Sequence, residues 1–197
     1  VTVAGTSWMD RIGRFAGGRA AVALVALWSF AEAIVLPIVP DVALDLLGLA
    51  APRRTPRLFA VSVVASILGT AVLFAFAISD LLAAQALVLA VPAINQPMLD
   101  AARVTVATGD PASLALFGPG TPLKVFTVAW VSGSGTVLGL LLGAVLNRLT
   151  RIGPALLAAM GVGALLPAWL RRHDRLVLAL YVGAWIVIYA GYWSGVL

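Results

Sequence analysis

The chain has 197 residues, of which 62% are apolar and only 11% charged, and its mean hydropathy is +1.06. A soluble domain carries about 25% charged residues, so there is too little polar surface here to coat a globule in water. Charge-free runs at 58–79, 125–147, 152–170 and 176–197 match the roughly 20 residues a helix needs to cross a bilayer. The chain therefore reads as an all-α integral membrane protein. With no Cys and one His, His173, a Cys/His zinc site, an iron–sulfur cluster, a disulfide framework and a Cys–His nucleophile pair are all excluded. No other nucleophile–base pair or metal cluster is visible, so neither an enzyme nor a cofactor is expected. The net charge of +5 sits in short clusters between apolar runs, the pattern of juxtamembrane loops rather than of a nucleic-acid surface.

Residues 1–19 form a basic leader with Arg11, Arg14 and Arg19, suited to an interfacial helix on the cytoplasmic surface. No cleavable signal peptide is expected, because the apolar stretch that follows is interrupted by Glu32 and two prolines rather than ended by a small-residue cleavage site. Residues 20–51 are that stretch, broken by Pro37-Ile-Val-Pro40 with Asp41 and Asp45 just beyond. Two prolines three apart predict a helix, a break and a second helix. Basic clusters flank the stretch on both sides, the second being Pro52 to Arg57, so the positive-inside rule predicts a re-entrant hairpin with both ends cytoplasmic. Non-helical backbone at membrane depth is tolerated only inside protein or beside a wet cavity, and the break is expected to face inward.

Residues 58–79 predict the first full crossing, with Gly69 as a point of close packing. Residues 80–111 collect Asp80, Asn95, Gln96, Asp100, Arg103 and Asp110 and are expected to be interfacial helices and loop on the outer side; a crossing at 81–99 is the alternative, and the positive-inside rule weighs the two equally. A second broken stretch, 112–147, repeats the spacing with Pro119-Gly-Thr-Pro122 and places Lys124 just past the break. Arg148 and Arg151 then precede a crossing at 152–170, as Arg53 to Arg57 precede the one at 58–79. A final span, 176–197, carries Trp185, Tyr189, Tyr192 and Trp193 towards its end, suited to an aromatic belt. The expected architecture is thus one membrane domain, 20–197, with two re-entrant hairpins in an inverted-repeat-like arrangement and about three full transmembrane helices. Paired interrupted segments of this kind point to a transporter's binding site.

An ionisable side chain near the bilayer centre costs roughly 2.5 to 3.5 kcal/mol on insertion scales, so it is functional by default. Glu32 is the only Glu and Lys124 the only Lys, and each lies in a broken hairpin. Desolvated carboxyl groups can exchange protons near neutrality, which nominates Glu32, Asp41 and Asp45 for proton coupling. The structural alternatives are that Glu32 pairs with an arginine to hold the hairpin, and that Asp41 is a helix-start residue. Gly118, Gly120 and Thr121 ahead of Lys124 suggest an anion site at a half-helix start. Lys124, Arg148 and Arg151 would add positive charge for a phosphate head group. Gly118 to Lys124 is not a Walker A loop and Gly133-Ser-Gly135 is not a dinucleotide fingerprint. Gly135, Gly139 and Gly143 read as a small-residue packing face, open to an internal contact or a homo-oligomer.

These residues resemble the DedA family, also called the VTT or SNARE-associated Golgi protein family, and more closely its YqaA-like branch. Phe30-Ala-Glu32-Ala-Ile-Val-Leu-Pro37-Ile-Val-Pro40 is similar to the family's acidic and proline signature. Phe117-Gly-Pro-Gly-Thr-Pro122-Leu-Lys124-Val-Phe-Thr127 is similar to the second-hairpin motif, with Leu123 and Trp130 as departures, and Arg148 and Arg151 match the arginine pair. The resemblance implies opposed hairpins, proton-motive-force dependence, and transport or flipping of lipids, undecaprenyl phosphate in bacterial members and phospholipids in eukaryotic relatives, with the bacterial inner membrane as the expected location here. The alternatives are a proton-coupled transporter of a small ion, metal or drug, and a non-transporting scaffold.

Overall fold

The computed structural model describes residues 7–116, 121–133 and 135–194, and within them the regular structure is entirely helical. Helix α1 (Trp8–Phe15) starts where the Ser7 hydroxyl accepts the Met9 N–H. After Ala16 to Gly18 the chain turns by 83° into α2 (Arg19–Ile34). Helix α2 stops ahead of Pro37, and α3 (Asp41–Ala50) begins after Pro40, so the two prolines open the break that their missing N–H groups require. Helix α4 (Thr55–Ser79) has Pro56 in its first turn, where no donor is lost. Asp80 then caps α5 (Leu81–Leu89) and Asn95 caps α6 (Gln96–Val106), each accepting an N–H of the first turn. With 9 and 11 residues, both are too short to cross a bilayer alone. Next come α7 (Ala112–Leu116), α8 (Leu123–Trp130), α9 (Val137–Arg151), α10 (Gly153–Leu165), α11 (Pro167–Arg172) and α12 (Asp174–Ser194).

Among the described residues, three helical segments are long and apolar enough to span a membrane: Thr55–Ser79, Val137–Leu165 and Asp174–Ser194. They make this a membrane protein. The middle one departs from the boundaries expected at 147 and 152. Helices α9 and α10 form one apolar stretch of 29 residues, whose length and composition suit a span that begins at 137 rather than at 152. Arg148 is the twelfth residue of that stretch, inside it rather than ahead of it. The physical reason is that Arg148 is paired with Glu32 inside the protein, so its charge does not interrupt the apolar stretch.

The chain between α1 and α4 leaves one end of the molecule and returns to it. The Arg54 guanidinium donates to the Gly13 carbonyl at 2.7 Å. The Ser7 hydroxyl and Trp8 indole N–H donate to Asp174 at 2.9 and 2.6 Å, and Arg171 lies 3.9 Å from Asp10. The three arginine-rich segments around residues 11–19, 53–57 and 171–175 therefore gather at one end.

Helix α2 packs most closely on α4. Buried Ser29 and Ser62 share a hydrogen bond of 2.7 Å, and a Cβ on Gly69 would stand 2.6 Å from the Phe30 carbonyl oxygen, so only glycine lets the backbones meet there. On α9, a Cβ at Gly139 or Gly143 would touch Trp130 or Leu114, and Gly135 lies under the Trp130 ring. This glycine face is used within the chain. Two apolar clusters fill the interior: one around Leu73, Leu99, Phe126 and Leu140, the other around Val25, Leu44, Leu58 and Leu156. Along α9 and α10, Ala144 belongs to the first and Ile152 to the second, with Arg148 between them. A charged layer separates the two apolar ones.

Candidate functional site

The charged layer is built where the two proline breaks meet. Glu32, near the end of α2, is only 2% exposed and forms an ion pair with Arg148 of α9, itself 3% exposed. Lys124, one residue into α8 and 1% exposed, brings its Nζ to 3.9 Å from Glu32 Oε1. The same Nζ donates to the Leu36 carbonyl at 2.8 Å. A lysine just past the second break thus satisfies a carbonyl freed by the first. Two further freed groups are held in the same way: the Ile38 carbonyl accepts from the Trp28 indole at 2.8 Å, and the Val39 N–H donates to the Tyr189 hydroxyl at 2.8 Å. Backbone that has left the helix ladder is held by side chains, as a low-dielectric interior demands.

Beside this cluster lies a cavity of about 390 Å³. Glu32, Asp41, Lys124 and Arg151 supply its charges, and Pro37 and Pro122 bring a proline of each break to its wall. Trp185, Tyr189 and Tyr192 of α12 close the remaining side. Arg151 donates to the Thr121 carbonyl at 3.0 Å, which ties the end of α9 to the second break. Two of the four wall charges, Glu32 and Lys124, face each other. The other two, Asp41 and Arg151, have no ion pair among the described residues, and buried Asp41 Oδ1 has no hydrogen-bond partner.

The sequence-nominated residues therefore divide. Glu32, Asp41, Lys124, Arg151, Pro37 and Pro122 come together on one wall. Arg148 stands behind it, its guanidinium committed to Glu32 and its Nε without a partner. Asp45 lies one turn along α3 from Asp41 and off the wall, with its Oδ1 buried and unpartnered. Pro40 is the residue ahead of α3 and is buried away from the cavity. Pro119, Gly118 and Gly120 lie outside the described residues. His173 accompanies the turn after α11, its ring 3.0 Å from the Trp169 carbonyl.

Sequence reasoning assigned the aromatic residues of the last span to a membrane belt and missed their place on the cavity. Tyr181, Trp185, Tyr189 and Trp193 recur every four residues, and successive rings lie 6.4, 5.7 and 5.5 Å apart. That spacing marks a stripe along one helix face, whereas a belt needs aromatics only near the helix end. Asn147 was missed as well; it is buried and donates to the Leu114 carbonyl at 2.7 Å, fixing α7 against α9.

Chemically, the arrangement offers a desolvated pocket with one unpaired cation, one unpaired carboxyl group and an aromatic wall. The balance over Glu32, Asp41, Lys124, Arg148 and Arg151 is three positive charges against two negative. Among the described residues no group of three or more His, Cys, Asp or Glu side chains could hold a metal ion. Compared with known proteins, the chain matches no family model, no curated protein and no solved structure.

Proposed function

We propose that the protein is a membrane transporter that moves a lipid with a phosphate head group, such as undecaprenyl phosphate or a phospholipid, between leaflets with proton coupling. The observation that carries this reading is the cavity between Pro37 and Pro122, with Arg151 and Asp41 on its wall and outside any ion pair among the described residues. The excess positive charge suits a phosphate, which Arg151 can grip with two N–H groups and Lys124 can approach as a point charge. Glu32 is committed to Arg148, so Asp41 is the carboxyl group left to take up and release a proton as the head group comes and goes. The segments 20–51 and 112–147 would be re-entrant hairpins, opposed in an inverted repeat, and the arginine-rich end would face the cytoplasm of a bacterial inner membrane. This architecture is consistent with the resemblance to the DedA family.

A second reading is favoured by the closed Glu32–Arg148 pair: a non-transporting scaffold in which the charges only hold the hairpins together. Proteoliposomes loaded with labelled polyprenyl phosphate or phospholipid separate the two. On the transport reading, Arg151→Gln abolishes movement of label at normal protein level, and Asp41→Asn removes the response to an imposed pH gradient. Unchanged label movement in the combined Lys124→Met and Arg151→Gln variant would refute it.

A further inference from the structure

At the arginine-rich end, well away from the charged layer, a larger cavity of about 950 Å³ opens between α1, α3 and α10. A Cβ on Gly163 would stand 2.5 Å from the Leu49 carbonyl oxygen, so α10 and α3 touch there, and both residues lie on the cavity wall. Leu49, Leu157 and Met160 make the wall apolar, and Leu157 is 68% exposed, so the wall runs on into the outward-facing surface of α10. The mouth is charged. Arg53, Arg54 and Arg171 face it against a single acid, Asp10, an excess of two positive charges. Arg54 gives one N–H to Gly13 and Arg171 stands 3.9 Å from Asp10, while Arg53 has no ion pair or hydrogen bond among the described residues.

An apolar wall continuous with the lipid-facing surface takes an acyl chain, and an arginine mouth takes an anion. A free phosphate would leave the wall bare, and an uncharged lipid would leave the arginines without a counter-ion. The volume falls in the range of about 300–1,000 Å³ typical of ligand sites. We infer that this cavity is a binding site for an anionic bilayer phospholipid, with its phosphate at Arg53 and Arg171 and an acyl chain along Leu157 and Met160. It is distinct from the central cavity and does not rest on the transport reading.

One residue makes the test clean. Gly161 lines the cavity, and a Cβ there meets nothing within 4 Å, so a larger side chain can start from the cavity wall without its Cβ striking a neighbour. Native mass spectrometry of the full chain in neutral detergent is carried out with added phosphatidylglycerol, phosphatidylcholine or inorganic phosphate. Every protein carries Arg151→Gln, so that the central cavity does not contribute. Phosphatidylglycerol is expected to bind in preference to phosphatidylcholine. Exposed Arg53→Gln should weaken it about fivefold, the loss of one basic side chain near an anionic head group. Gly161→Phe should weaken it by at least about tenfold, with the unfolding temperature retained. Equal binding of the two lipids, displacement of phosphatidylglycerol by inorganic phosphate, or wild-type binding in Arg53→Gln would each overturn the assignment.

Discussion

Removing Glu32 should harm the protein more than removing Arg148, although the two form one ion pair. Glu32 stands between two cations, Arg148 in direct contact and Lys124 at 3.9 Å, and all three are at least 97% buried. Glu32→Gln strands both cations, whereas Arg148→Met leaves Glu32 with Lys124 and removes an Nε that has no partner. Breaking a buried pair from one side costs roughly 3–5 kcal/mol, and Glu32→Gln should reach that full cost. Arg148→Met should cost about half as much, because one opposite charge stays beside the carboxylate. The double variant should be less destabilised than the sum of the two by about 1–3 kcal/mol, since a residue and its partner leave together. The assay is thermal unfolding in a fixed detergent, where about 2–4 °C per kcal/mol is expected for a chain of this size. Glu32→Gln would then fall by roughly 6–20 °C. Equal losses in the two single variants, or a double variant equal to their sum within about 0.5 kcal/mol, would show that the three side chains do not act as one cluster.

Gly69→Leu should destabilise by roughly 1–3 kcal/mol or more, because its Cβ would press on the Phe30 backbone oxygen at 2.6 Å. Gly183→Leu, where a Cβ meets nothing within 4 Å, should stay within about 0.5 kcal/mol in the same unfolding assay. Tyr189→Phe removes the hydroxyl that accepts the Val39 N–H; about 1 kcal/mol is expected, seen as faster amide exchange at Val39 with little change at Ala33. Because the chain has no Cys, single-cysteine variants need no altered background. Arg14→Cys and Arg172→Cys should react with an impermeant maleimide from one face of sealed vesicles and Asp80→Cys from the other. Labelling of all three from one face would refute a crossing by α4.

Much of the architecture was legible because the forces that shape it act locally. Apolar runs of sufficient length predicted α4 and α12, and the two prolines at 37 and 40 predicted the break between α2 and α3. Charges are poor markers of where the third apolar stretch starts, because Arg148 is a charge whose solvent is Glu32, 116 residues away in sequence. The pairing itself could be suspected from the scarcity of acids and bases, but its geometry could not: nothing within the segment 30–40 says that Lys124 will reach Leu36. The aromatic stripe was visible in its spacing, yet its orientation depends on which helix it meets, and Tyr181 reaches the Val42 carbonyl 139 residues away.

None of the residues of α12 is buried, although Trp185, Tyr189 and Tyr192 complete the central cavity. The helix is tied to the body by the hydroxyls of Tyr181 and Tyr189 and by contacts of Ser7 and Trp8 with Asp174. This has a consequence for biosynthesis. Tyr189 leaves the ribosome 150 residues after Val39, a delay of about 8–30 s at 5–20 residues per second. Until α12 arrives, Asp41 and Arg151 have no aromatic wall over them, so the order of insertion decides how long a half-built charged pocket must survive in the bilayer. The hydroxyls that seal it act as latches fastened last, and their loss should register in the yield of inserted protein.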